Sequence, residues 1–191
     1  RSPTVTGVQT CALPISNRMV MCALMAAITC VLAPVSLPVG PVPISLCTFA
    51  VMLSGILTGG KAGFLSQLIY VLLGAAGLPV FAGYTGGLSC IAGVTGGYIA
   101  AYPVMALTAG GLYTRFGRRE RGRRKVLVMF AAMAAGTILL YAFGTAWFCA
   151  VSGTAPRAAF TICILPFILG DLVKMAAVCV IAVPIEKALT Q

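Results

Sequence analysis

Asp171 and Lys174 lie inside FTICILPFILGDLVKMAAVCVIAV, a run that is otherwise uncharged. On a helix, positions i and i+3 share a face. The carboxylate only accepts hydrogen bonds and the ammonium only donates them. Ionisable groups at membrane depth are costly unless paired or hydrated, and by default they mark function. The alternative is a buried ion pair with a purely structural role. Acceptors set beside donors suit a neutral polar ligand carrying both N–H and C=O groups, such as a cyclic urea.

Other chemistries are poorly served. The chain has no His, which removes His-based dyads and H-E-x-x-H zinc sites. One intramembrane Asp gives no aspartyl pair, so an intramembrane enzyme is not expected and no catalytic residue is assigned. The eight Cys form no C-x-x-C, which argues against a metal site or a disulfide framework; they read as small apolar packing residues. No G-x-x-x-x-G-K-[ST] is present, so ATP is not bound through a P-loop. No resident cofactor or metal is expected.

The elements that must hold the pair follow from composition. Hydrophobic residues make up 60% of the 191 and charged residues only 8%, with a mean hydropathy of +1.06. Soluble domains are about 25% charged. The apolar runs are too long for barrel strands and do not alternate, so the expected class is an all-α polytopic membrane protein. Six transmembrane segments are expected, near 19–33, 44–57, 62–76, 96–113, 126–151 and 158–183. Prolines punctuate SLPVGPVP after the first, and Gly59-Gly60-Lys61 turns between the second and third. A Gly-rich connection from Gly77 to about Thr95 is long enough to act as a lid or pocket wall rather than a plain flexible loop.

Arg1–Ser16 has neither a helical period nor a signal-peptide layout. Its VQTCALPI resembles the translation of a sequencing-library adapter, so 1–16 is set aside as non-native. Residues 17–191 are expected to form a single six-helix membrane domain.

The net charge of +10 is concentrated: Arg115–Lys125 (RFGRRERGRRK) holds seven of the 13 basic residues. That is the expected pattern for a short cytoplasmic loop, and both termini then lie inside. A contact with anionic lipid or a partner remains open there. Aromatics do not interleave the basic residues as on a nucleic-acid platform, so no nucleic-acid partner is expected. Arg157 is left outside, and by sign and side it is a candidate for a ligand carboxylate.

The blocks GPVPISLCTFAVMLSGILTGGKAGFLSQLIYVLLGAAGLPVFAGYTGG, GVTGGYIAAY and LPFILGDLVK together resemble the BioY family, from about Met19 to Lys187. Its members are biotin-capture (S) subunits of energy-coupling-factor (ECF) transporters. The resemblance implies a Gly-rich outer loop capping a ligand pocket. It implies that Asp171 and Lys174 hydrogen-bond the ureido ring of biotin, and that Thr85, Gly86, Gly87 and Tyr98 contribute to the cap and pocket. Thr85 stands where some members have Asn, Val94 where Pro is usual, and Cys47 where Gln is frequent. The resemblance also implies a coupling (T) subunit, met by Ala23 and Ala27 on the first helix, and a pair of separate ABC ATPases, in a bacterial or archaeal cytoplasmic membrane. Generic small-residue packing inside the domain is the other account of Ala23-x-x-x-Ala27. A self-sufficient secondary carrier for biotin or a similar solute is the alternative function. Such carriers often show two related halves, and no convincing internal repeat is seen.

Overall fold

In the computed structural model, residues 13–37 and 42–189 are described. Residues 1–12 of the segment set aside as non-native, and Pro38 and Pro41 of the first proline-rich loop, lie outside them. The chain builds helices α1 (Leu13–Leu32), α2 (Cys47–Thr58), α3 (Gly60–Ala75), α4 (Leu88–Ala92), α5 (Gly96–Phe116), α6 (Gly122–Ser152), α7 (Pro156–Cys163) and α8 (Leu165–Leu189). Between α1 and α2, β1 (Ser36–Leu37) and β2 (Ile44–Ser45) pair antiparallel, with Ser36 opposite Ser45. Among the described residues the fold is therefore helical apart from this two-rung ladder and an isolated bridge between Phe81 and Thr85.

Three sequence expectations need correction. The second apolar segment does not begin as helix: Ile44 and Ser45 are extended, and α2 starts only at Cys47. The Gly77–Thr95 connection is not wholly irregular, because it contains α4. The sixth segment is broken at Ile164, between α7 and α8. Pro166 explains the break, since it has no N–H to donate to Ile162 O four residues back and its ring crowds that carbonyl. Phe167, Asp171 and Lys174 share one face of α8, at i, i+4 and i+7.

Large apolar side chains point outward along the bundle: Leu169, Val180, Leu127 and Ile138 are all at least two-thirds exposed. Two runs, Gly122–Ser152 and Pro156–Ala188, are long and apolar enough to cross a bilayer. At 12 and 16 residues, α2 and α3 are about 18 and 24 Å long, short of a hydrocarbon core of about 30 Å.

Glycine lets α2, α3 and α5 meet backbone to backbone. Gly59, at φ +84°, makes the turn from α2 to α3. A Cβ on Gly110 would stand 2.7 Å from both Gly59 C and Gly60 N, closer than any side chain tolerates. Such small-residue seams are how helices associate in lipid. Gly110→Ala is therefore expected to cost about 1–3 kcal/mol through overpacking. The check is a lower thermal midpoint in detergent; an unchanged midpoint would mean that α5 can shift away from the turn.

Away from the Asp171 end, Glu186 ties three helices together. Its Oε2 accepts from Tyr113 Oη at 2.6 Å and pairs with Lys125 Nζ at 2.7 Å, joining the ends of α5 and α8 to the start of α6.

Candidate functional site

Helices α2, α3, α5, α6, α7 and α8, together with the segments between α1 and α2 and between α3 and α5, line a cavity of about 270 Å³. Six aromatic rings wall it: Tyr70, Phe81, Tyr98, Tyr102, Tyr141 and Phe167. Tyr70 and Phe81 meet edge to face, with centroids 5.7 Å apart. Tyr70 Oη donates to Val80 O at 3.2 Å, and Tyr98 Oη shares a 3.1 Å bond with Thr145 Oγ1. Rings locked in this way give broad apolar contact at little entropic cost.

One part of the wall is charged. Asp171 is 3% exposed. Its Oδ1 accepts from Lys174 Nζ at 3.1 Å and from Thr48 Oγ1 at 3.2 Å; its Oδ2 accepts from Tyr141 Oη at 2.6 Å. Lys174 Nζ also donates to Ser45 O at 2.8 Å and Thr48 Oγ1 at 2.9 Å. All three ammonium N–H groups are thus engaged, whereas the carboxylate, with about four acceptor positions, has one to spare. Thr48 binds the pair together by accepting from the cation and donating to the anion.

The pocket residues named from sequence divide into two groups. Asp171, Lys174, Tyr98 and Thr85 line this one cavity. Gly86 and Gly87 are not among its lining residues and instead shape the segment behind it. A Cβ on Gly86 would strike Leu78 O, and Gly87, at φ +96°, donates its N–H to Gly74 O at 2.7 Å. The hydroxyl of Thr85 is used on Ala82 O at 3.0 Å. Cys47 and Val94 line the cavity as Thr85 does, so all three positions singled out from sequence as departures fall in its wall. Arg157 is exposed on α7 and does not line it. Ala23 and Ala27 are exposed on α1, so interior packing does not account for them.

Sequence reasoning missed Thr48, Tyr141 and the Ser45 carbonyl. The signal available was a hydroxyl within an apolar helix, which also needs a partner in lipid; nothing in the order of residues names that partner. The segment from α3 to α5 meets the rest of the chain at several points. Gly83 N–H donates to Pro34 O at 3.1 Å, and Trp147 Nε1 donates to Gly93 O at 3.0 Å.

A helical bundle that is apolar outside and holds a buried acid–base pair in a walled cavity defines a membrane protein that binds a small solute. Comparison with known proteins narrows the class. The sequence pattern of the BioY family matches residues 5–191, and the chain belongs to that family. It is 43% identical over 160 residues to a probable biotin transporter BioY of Pyrococcus horikoshii, covering 84% of this chain and 90% of the relative. It is 33% identical over 171 residues to the biotin transporter BioY of Thermotoga maritima, covering 90% and 96%. Among solved structures, the S-component for biotin from an ECF-type ABC transporter matches with a TM-score of 0.81 at 27% identity, covering 92% of this chain and 93% of the other.

Proposed function

We infer that this chain captures biotin for uptake as the substrate-specific subunit of an ECF-type ABC transporter, and is not an enzyme. The meeting of Asp171, Lys174 and Thr48 in a cavity walled in part by six aromatic rings carries the reading. A ureido ring offers two N–H groups and one carbonyl. The spare acceptor position on Asp171 suits one of the N–H groups. Because every Lys174 N–H is engaged, the ligand carbonyl must replace Ser45 O or Thr48 Oγ1 as acceptor. The thiophane ring and valerate chain fit the aromatic walls.

In this reading the domain crosses the membrane six times, through α1, α2, α3, α5, α6 and the α7–α8 pair. Both termini and the Arg115–Lys125 loop lie on the cytoplasmic side of a bacterial or archaeal cell membrane. The Gly-rich segment caps the cavity from outside, with Thr85 beside the ligand and Gly86 and Gly87 setting its shape. The exposed Ala23 and Ala27 receive the T subunit, because small residues admit a second helix closely. A pair of ABC ATPases on other chains supplies the energy, and this chain carries no cofactor of its own.

The test is calorimetric titration of the full chain in detergent with biotin, using thiamine and riboflavin as controls. Tight binding of biotin alone supports the reading; a folded protein that ignores biotin overturns it. Uptake by vesicles holding this chain without partner subunits would point instead to the secondary carrier. Tyr141→Phe is expected to weaken biotin binding about tenfold, since a hydrogen bond to a charged group contributes about 1.5–3 kcal/mol. The same titration checks this, and wild-type affinity would show that Tyr141 does not orient the carboxylate.

A further inference from the structure

A second groove lies at the Glu186 end of the bundle, far along α8 from Asp171. It runs between the start of α6 and the end of α8 and is lined by Gly122, Arg123, Val126, Leu127, Phe130 and Val183. Arg123, Val126, Leu127 and Phe130 fall at i, i+3, i+4 and i+7, so a single face of α6 carries them. That face reads as a cation followed by about 10 Å of apolar surface.

The charges around it are largely unanswered. Lys125 is paired with Glu186, and Arg115 lies over the Phe116 ring at 5.6 Å. Arg118, Arg119, Arg121, Arg123 and Arg124 are exposed and make no ion pair among the described residues. Leu127 is 70% exposed directly below them.

We propose that this groove is a binding site for an anionic phospholipid of the inner leaflet. The headgroup phosphate sits at Arg123 with the neighbouring arginines, and one acyl chain lies along Val126, Leu127 and Phe130 against Val183. Charge complementarity selects the occupant. A basic cluster at a helix end attracts anionic headgroups, and the apolar strip beneath it faces lipid. The inference rests on the inward placement of the basic loop, but not on the identity of the transported solute.

The test uses full-length protein in mixed micelles with equal amounts of phosphatidylglycerol and phosphatidylcholine of one chain length, followed by native mass spectrometry. One retained phosphatidylglycerol per chain is expected. Arg123→Gln should lower its retention about fivefold, the scale of one basic residue at a membrane surface. Arg118→Gln with Arg119→Gln should change it much less. Leu127→Gln, which keeps every charge, should also lower it, and gel filtration verifies that each variant is folded. Four results would overturn the site. One is equal retention of phosphatidylcholine. Another is an Arg118/Arg119 variant as impaired as Arg123→Gln, meaning diffuse attraction. A third is displacement of the lipid by inorganic phosphate, meaning a free-anion site. The last is an Arg123→Gln variant that keeps its lipid yet fails to couple to partner subunits, which would assign the patch to protein contact.

Discussion

Asp171→Asn is expected to lower biotin affinity about a hundredfold or more, equivalent to about 2.7 kcal/mol or more. Three donors converge on this carboxylate: Lys174 and Thr48 on Oδ1, and Tyr141 on Oδ2. An amide keeps one acceptor oxygen; its NH2 in the Oδ1 place meets Lys174, which only donates, and Thr48, which already accepts from Lys174, and in the Oδ2 place it forces Tyr141 to reverse its hydroxyl. It also leaves Lys174 buried without its counter-charge, and the ureido N–H groups meet another N–H donor. Each hydrogen bond to a charged group contributes about 1.5–3 kcal/mol, so two lost bonds account for the drop. Calorimetry decides the matter. An affinity within a few-fold of wild type would remove Asp171 from the site and leave the fold untouched.

Lys174→Met should abolish measurable binding and also destabilise the protein. Methionine is unbranched and only one atom shorter but loses the bonds to Ser45 O, Thr48 Oγ1 and Asp171. Asp171, 3% exposed in the native chain, is then left without its partner. Breaking a buried pair on one side costs about 3–5 kcal/mol. The double variant Asp171→Asn/Lys174→Met removes both charges, so it should regain much of the thermal midpoint while still failing to bind. If the double variant is no more stable than Lys174→Met alone, the uncompensated carboxylate is not the source of the loss.

The pair was legible in the sequence because charge inside a long apolar run stands out. Its partners were not. Thr48 and Tyr141 reach Asp171 from 123 and 30 residues away, and each lies in a run where one hydroxyl barely alters hydropathy. The helices at 62–76, 96–113 and 126–151 were legible for the same reason as the pair, because hydropathy is continuous there. That continuity hid the break at Ile164. Pro166 was visible, but apolar residues run unbroken across α7 and α8, and composition alone does not report a one-residue interruption of the helix. Glycine at 86 and 87 signalled unusual backbone correctly. Whether such backbone lines a cavity or braces it depends on which atoms lie behind it, here Leu78 O and Gly74 O.

The bond from Trp147 to Gly93 O gives the molecule an optical reporter of its own. The chain contains a single tryptophan, so all indole emission arises from the point where α6 holds the end of the Gly-rich segment. Release of that segment frees the indole N–H to water and should shift the emission, while arrival of a ligand with the segment closed leaves the bond in place. Rapid-mixing fluorescence on unlabelled protein thereby separates movement of the Gly-rich segment from occupancy of the cavity. A spectrum unchanged throughout biotin binding and release would mean that the segment stays fastened at Gly93 while the solute enters elsewhere.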